Sequence, residues 1–139
     1  MSTLETIYTN TDFDLKSNGA FDELHAELSA KCLVLHYACG EDGIYTASYE
    51  SDHDDTAELS GVERDISLML AAVKSLSEPA RIQFDGCHLR EFNIGFECGD
   101  TWAFAYSLTQ QTIDAVSAAS CTLAVTLYPM RNPDGSMRA

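Results

Sequence analysis

An acidic stretch at residues 49–59, YESDHDDTAEL, places one histidine among several carboxylates. Carboxylate oxygens and imidazole nitrogens are common metal ligands in proteins. A calcium-binding EF-hand loop that started at Asp52 would need Asp or Asn at residue 56 and glycine at residue 57. The sequence has Thr56 and Ala57 at these positions. We therefore expect a solvated loop between a strand and a helix, without a bound metal.

Histidine–cysteine pairs elsewhere in the chain could also support metal or thiol chemistry. His36 and Cys39 are three residues apart, and Cys87 and His88 are adjacent. In regular strands the two members of each pair point to opposite faces, so only a meeting of strand ends would bring all four together. Cys98 precedes a glycine at a turn and is the thiol that we expect to be most exposed. The pattern predicts neither a metal centre nor a catalytic cysteine.

The motifs that enzymes use for acid–base or nucleophilic catalysis are also missing from the sequence. Glu91 and Glu97 share one face of a predicted strand but lie roughly 20 Å apart, too far to act on one bond. The sequence has no G-x-S-x-G motif and no glycine-rich phosphate loop. We therefore predict a non-enzymatic protein without catalytic residues or a cofactor.

Residues 87–106, CHLREFNIGFECGDTWAFAY, form the best candidate for a ligand-binding region. The candidate binding residues are His88, Arg90, Glu91, Asn93, Glu97 and Trp102. A two-residue turn after Cys98 would place the downstream aromatics opposite polar residues and Gly95, as in a binding surface. A three-residue turn would instead place these aromatics in the core. The sequence leaves both registers open, so a small-molecule-binding or enzymatic domain with a pocket at this meander is the alternative function.

The formal net charge of −14 is distributed unevenly along the 139 residues. Residues 1–60 contain 13 acidic residues and two lysines, whereas residues 61–139 contain nine acidic and six basic residues. Such a chain repels nucleic acid and anionic membranes, and it attracts a basic protein. We predict a protein-binding module that resembles inhibitor and immunity proteins only in its charge. Its expected acidic interaction surface comprises Asp52, Asp54, Asp55 and Glu58.

The length and composition predict one domain over residues 1–129, followed by a flexible tail at 130–139. The first residues lack the basic and apolar regions of a secretory signal, and no apolar run is long enough to span a bilayer. Five cysteines without a CxxC spacing favour free thiols in a reducing compartment. We therefore expect a cytoplasmic protein.

Hydrophobic periodicity predicts three helices, at residues 19–31, 60–77 and 109–120. The second has the clearest apolar stripe, and the S-x-x-E pattern of Ser60 and Glu63 predicts a capping box at its start. Pro79 is expected to help end it.

Strand patterns surround these helices. They cover residues 6–15, 31–39, 43–50, 80–85, 87–98, 101–107 and 121–129. Asp85-Gly86 is typical of a hairpin turn. The apolar alternation changes phase after this turn, which predicts a β-bulge at Arg90-Glu91.

The order of these elements predicts an α+β fold with a single, largely antiparallel sheet of six or seven strands and three helices. The first six elements follow the ferredoxin-like βαββαβ order, and a ββαβ meander unit extends the sheet. The last strand or the first could lie at a sheet edge, where it would invite pairing with a second copy. A homodimer is therefore also expected.

Overall fold

The computed structural model of this protein describes residues 4–52, 61–130 and 134–136. Within these ranges, five strands form one sheet: β1 (Ile7–Ser17), β2 (Cys32–Cys39), β3 (Tyr45–Ser51), β4 (Leu89–Glu97) and β5 (Thr122–Tyr128). Four helices accompany it: α1 (Asp22–Ser29), α2 (Val62–Lys74), α3 (Glu78–Gly86) and α4 (Gln110–Ala118). None of these helices has the length and apolar character needed to cross a membrane. The predicted tail lies largely outside the described residues, so its flexibility stays a prediction.

The sheet has the strand order β2-β3-β1-β4-β5. β1 is antiparallel to both β3 and β4, and β2 is antiparallel to β3, whereas β5 is parallel to β4. β1, α1 and β2 form a split βαβ unit, because β3 lies between the two parallel strands. The predicted α+β class is confirmed. The predicted numbers of six or seven strands and three helices are wrong. In place of the ββαβ meander unit, helix α4 follows β4 and leads to a single further strand, β5, which pairs parallel to β4.

The helices pack on one side of the sheet, here called the helix face. Phe13 and Phe92, on neighbouring strands, stack with ring centroids 4.4 Å apart at the centre of this face. Ile66 and Met69 of α2 and Phe84 of α3 are buried in the same apolar core. Burial of these large side chains, at about 25 cal/mol per Å² of apolar surface, is the main force that holds the helices against the sheet.

The segment predicted as a strand at residues 80–85 is instead part of helix α3. The Ser77 side chain accepts a hydrogen bond from the backbone N–H of Ala80, and Pro79 lies in the first turn of the helix. Both features favour a helix start. Ala80 and Phe84 are spaced by one helical turn and are buried, whereas Ile82 is 65% exposed. The alternation of Ile82 and Phe84 indicated the two-residue period of a strand, whereas the segment has the period of a helix.

The predicted hairpin at Asp85-Gly86 and the predicted bulge at Arg90-Glu91 are also wrong, because the segment before β4 is a helix. Asp85-Gly86 ends a helix, so no earlier strand sets the phase of β4. Arg90 pairs with Leu15 and Glu91 pairs with Asp14 without a register shift. The register shifts of the sheet lie in other strands, and one of them is in β2 between Val34 and His36.

Residues 101–107 do not form the predicted third strand of a meander. They run without regular structure between β4 and α4, and both predicted turn registers are therefore wrong. β4 is already paired with β1 on one side and with β5 on the other. A hairpin partner after Cys98 has no free edge of β4 to occupy. The rings of Phe104 and Tyr106 instead pack against Phe96 on the helix face, with centroids 5.0 and 5.7 Å away.

Candidate interaction surface

The side of the sheet opposite the helices is rich in carboxylates, and we name it the open face. Strand alternation places there the side chains that are out of phase with the buried core residues. Its acidic residues are Asp12 and Asp14 of β1, Glu50 of β3, and Glu91 and Glu97 of β4. Strand pairing brings them together, because Asp14 lies directly opposite both Ser48 and Glu91.

Neutral side chains hold these carboxylates in place. The Asn10 amide donates hydrogen bonds to Asp12 at 3.0 Å and to Glu50 at 2.6 Å. The Ser48 hydroxyl donates to Asp14 at 2.7 Å. Because these donors carry no charge, they orient the carboxylates without neutralising them.

The same pattern continues toward β5 across the open face. The Thr122 hydroxyl donates to the Glu91 carboxylate at 2.8 Å, and the Thr126 hydroxyl donates to the Asn93 side chain at 2.7 Å. Gly95 lies directly opposite Thr126, and a Cβ there would be 2.9 Å from Asn10 Oδ1 and 3.1 Å from the Tyr128 ring. Close packing at Gly95, which a glycine within a strand indicates, is therefore present.

One carboxyl group of the open face, that of Asp12, has a shifted pKa. The pKa of Asp12 is raised from 3.8 to about 6, chiefly because the side chain is partly buried. The charges of Asp14 and Glu50 raise it further, and so does a hydrogen bond between the protonated Asp12 and Glu50. A positive group placed on this face would relieve the repulsion and lower the pKa of Asp12.

The six predicted binding residues do not form one site. Glu91, Asn93 and Glu97 lie along the open face, at alternate positions of β4. His88 is exposed just before β4, and its backbone N–H donates to the carbonyl of Lys16 at 2.9 Å. Trp102 lies beyond the opposite end of β4 and is fully exposed.

Arg90, the sixth candidate, points toward the helices and is bound to the main chain. Its Nη1 atom donates to the carbonyl of Cys87 at 2.6 Å and, at longer distances, to those of Phe84 and Asp85. Its Nε donates to the carbonyl of Ser120 at 2.9 Å. The guanidinium thus joins the C-terminal ends of α3 and α4, where carbonyls lack helical partners and favour a cation.

The acidic stretch at 49–59 is only partly described. Asp52 follows β3, is exposed, and has the same strand parity as Glu50. Asp54, Asp55 and Glu58 lie outside the described residues, so the interaction surface predicted from them stays a prediction.

Sequence reasoning missed the role of β1 in this surface. Asp12 and Asp14 alternate with the core residues Phe13 and Leu15, which was a sufficient signal that they share one face. Their position next to β4, and hence next to Glu91, follows only from the strand order.

A groove of about 490 Å³ lies on the helix face beside β5, and we name it the β5 groove. Its largest lining side chains are those of Phe96, Trp102, Phe104, Tyr106, Val125 and Leu127. This groove is the concave feature next to Trp102, and neither His88 nor Arg90 lines it. Trp102 thus lines this groove together with other aromatic residues and without His88 or Arg90, and the small-molecule function stays a prediction.

A larger groove of about 700 Å³ separates α2 from α4 and contains Glu63. The Glu63 carboxylate accepts hydrogen bonds from the backbone N–H of Thr109 at 3.0 Å and from the hydroxyl of Thr112. Gly61 is the residue that precedes α2, and Ser60 lies outside the described residues. Glu63 therefore stabilises the start of α4, and the predicted capping box with Ser60 lies outside the described residues.

The thiols are mostly buried. Burial raises the pKa of Cys32, Cys87 and Cys121 to about 11, so these side chains are neutral thiols at neutral pH. Cys39 is exposed and Cys98 is partly buried. In the ranges that the structure describes, no three His, Cys, Asp or Glu side chains meet in an arrangement suited to a metal ion.

Comparison with protein-family models, with curated proteins and with solved structures finds no match to this chain. The open face is the described surface on which the acidic side chains are most clearly organised.

Proposed function

We propose that this protein is a protein-binding module and that its open face binds a basic surface of another protein. The observation that carries the proposal is the row of carboxylates across β3, β1 and β4, which neutral donors orient without cancelling their charge. Lys16 is the one lysine or arginine that the described strands contribute to this face. The predicted surface at Asp52, Asp54, Asp55 and Glu58 would extend it.

Electrostatics favours such a partner mainly through the rate and selectivity of association. A chain with a net charge of −14 attracts basic proteins over a distance, and the clustered carboxylates direct them to one face. The attraction is screened beyond about 8 Å at physiological ionic strength. Binding is therefore expected to weaken steeply as the salt concentration rises.

The hydrogen bonds on the open face also support binding. Asp14, Glu50 and Glu91 already accept hydrogen bonds from neighbouring side chains, so their conformations are restricted before a partner arrives. Ordering a long side chain during association costs about 0.5–1.5 kcal/mol. Part of this cost is already met in the free protein.

The proposal can be tested with two variants of equal charge. In the open-face variant the four substitutions are Asp14→Asn, Glu50→Gln, Glu91→Gln and Glu97→Gln, which keep an oxygen acceptor at each position. In the matched control the four substitutions are Glu41→Gln, Glu78→Gln, Asp85→Asn and Asp114→Asn, all at exposed residues outside this face.

Each protein is immobilised, incubated with an extract of its native cell at low salt, and analysed by quantitative mass spectrometry. We expect the wild type and the control to retain the same basic protein, and the open-face variant to lose it at least tenfold. Equal recovery of every basic protein by the two variants would contradict the proposal, because net charge alone would then explain binding.

A further inference from the structure

In the part of the chain that the structure describes, β5 is an edge strand without the usual protection against pairing. It lies at the end of the sheet, and within the described residues it pairs only with β4. Its seven residues, TLAVTLY, include no charge and no proline, and its register with β4 is unbroken. Natural edge strands are commonly blunted by charges, prolines or bulges. The other edge strand, β2, has such an irregularity between Val34 and His36.

The outer backbone groups of β5 can be identified from its pairing. The carbonyl of Tyr128 accepts a hydrogen bond from the backbone N–H of Cys98 at 2.9 Å, so the peptide groups of Tyr128 face β4. Backbone direction alternates along a strand. The N–H and C=O groups of Leu123, Val125 and Leu127 therefore point away from the sheet.

The two sides of this edge differ in chemistry. On the helix face, Val125 and Leu127 are each 60% exposed and border the β5 groove. On the open face, Glu91 and Glu97 lie on β4, directly beside β5. A strand added to β5 would lie about 10 Å from β4, a distance that lysine and arginine side chains largely span.

We propose that an extended segment of the partner adds to β5 as a further strand, and that it alternates basic with apolar residues. Its basic side chains would reach toward Glu91 and Glu97, and its apolar side chains would enter the β5 groove. Backbone hydrogen bonds to Leu123, Val125 and Leu127 would supply affinity, as in other cases of strand addition. This inference rests on the proposed function, since it names the segment of the basic partner that is recognised.

A second copy of this chain fits the edge less well. Two copies would each bring a net charge of −14, and a pair of β5 strands would place the carboxylates of both open faces on one continuous sheet. A basic segment instead lowers the total charge. The charge therefore favours a partner segment over self-association at this edge.

The probe is a seven-residue peptide, Lys-Val-Lys-Val-Lys-Val-Lys with blocked ends, equal in length to β5. Its control is Lys-Lys-Lys-Val-Val-Val-Lys, which has the same charge and composition but no alternation. Trp102 is the only tryptophan, is fully exposed and lines the β5 groove, so its emission should shift to the blue when valines cover it. We expect the full chain to bind the alternating peptide at least tenfold more tightly than the control peptide.

Variants at Val125 distinguish the contribution of its backbone N–H to peptide binding from that of its side chain. Val125→Pro removes one outward N–H, which an edge strand tolerates, whereas Val125→Thr keeps the N–H and the branched shape. Loss of one or two hydrogen bonds predicts about tenfold weaker binding for the proline variant and little change for threonine. Val125→Lys leaves the backbone intact and places a positive charge in the groove, so it should also weaken binding about tenfold.

Equal binding of both peptides, or unchanged binding by both the proline and the lysine variants, would overturn the proposal. Light scattering gives a further check, because a dimer that Val125→Lys dissociates would show that a second copy occupies this edge. If the peptide fails but the open-face variant still loses its basic partner, only strand addition is wrong. If the open-face variant retains the partner, the proposed function itself is wrong.

Discussion

Replacement of Asp12 by asparagine should stabilise the protein above pH 6. The new side chain would keep the oxygen that accepts from Asn10 and would place an N–H group toward Glu50, so it imitates the protonated carboxyl. It would also remove the charge that Asp14 and Glu50 repel. The wild type carries this unfavourable charge whenever Asp12 is ionised.

The direction of this change in stability follows from the pKa of Asp12, which is about 6 in the folded protein and near 3.8 in the unfolded chain. The folded state binds this proton more tightly than the unfolded state does. The wild type therefore loses stability as the pH rises from about 4 to about 6, and above pH 6 the loss from this residue is complete. Two pKa units correspond to about 3 kcal/mol. Because Asp12 is only partly buried, solvent screening lowers the expected gain for Asp12→Asn to about 1 kcal/mol.

The measurement is urea unfolding of the wild type and of Asp12→Asn at pH 4, 6 and 8, followed by circular dichroism. Fluorescence is unsuitable, since the single Trp102 is already exposed in the folded state. Asp85→Asn, at an exposed position near the end of α3, serves as the control. We expect the advantage of Asp12→Asn to appear at pH 8 and to vanish near pH 4. Equal stability at pH 8, or an advantage that persists unchanged at pH 4, would refute the reasoning.

Two further substitutions test contacts that join distant parts of the chain. Arg90→Lys keeps the charge but loses the planar fork that reaches four backbone carbonyls, so we expect a loss of about 1–2 kcal/mol in urea unfolding. An unchanged midpoint would show that these hydrogen bonds contribute no net stability. Gly99→Ala would place a Cβ 2.1 Å from the carbonyl oxygen of Leu4, so we expect a loss of about 1–3 kcal/mol and faster amide exchange at residues 99 and 100. Gly19→Ala is its matched control, because nothing lies within 4 Å of a Cβ there.

Long periodic segments were predicted correctly in type, whereas two short segments, residues 80–85 and 101–107, were not. The apolar stripe of residues 60–77 spans several turns, and α2 forms within it at Val62–Lys74. Residues 80–85 are too short to distinguish alternation from helical spacing, and the Ser77 cap with Pro79 then favours a helix. Local pattern identifies an element reliably only when it repeats over enough residues.

The amino-acid sequence by itself determined the large negative charge, its concentration in the first 60 residues and the alternation that places Asp12 and Asp14 opposite the core residues Phe13 and Leu15. These properties depend on residue type and local spacing alone. Only the tertiary structure decided that β1 lies between β3 and β4, which gathers the carboxylates of three strands on one face. It also decided that β5 and not residues 101–107 takes the free edge of β4, because each edge of a strand accepts a single neighbour and segments distant in the chain compete for it.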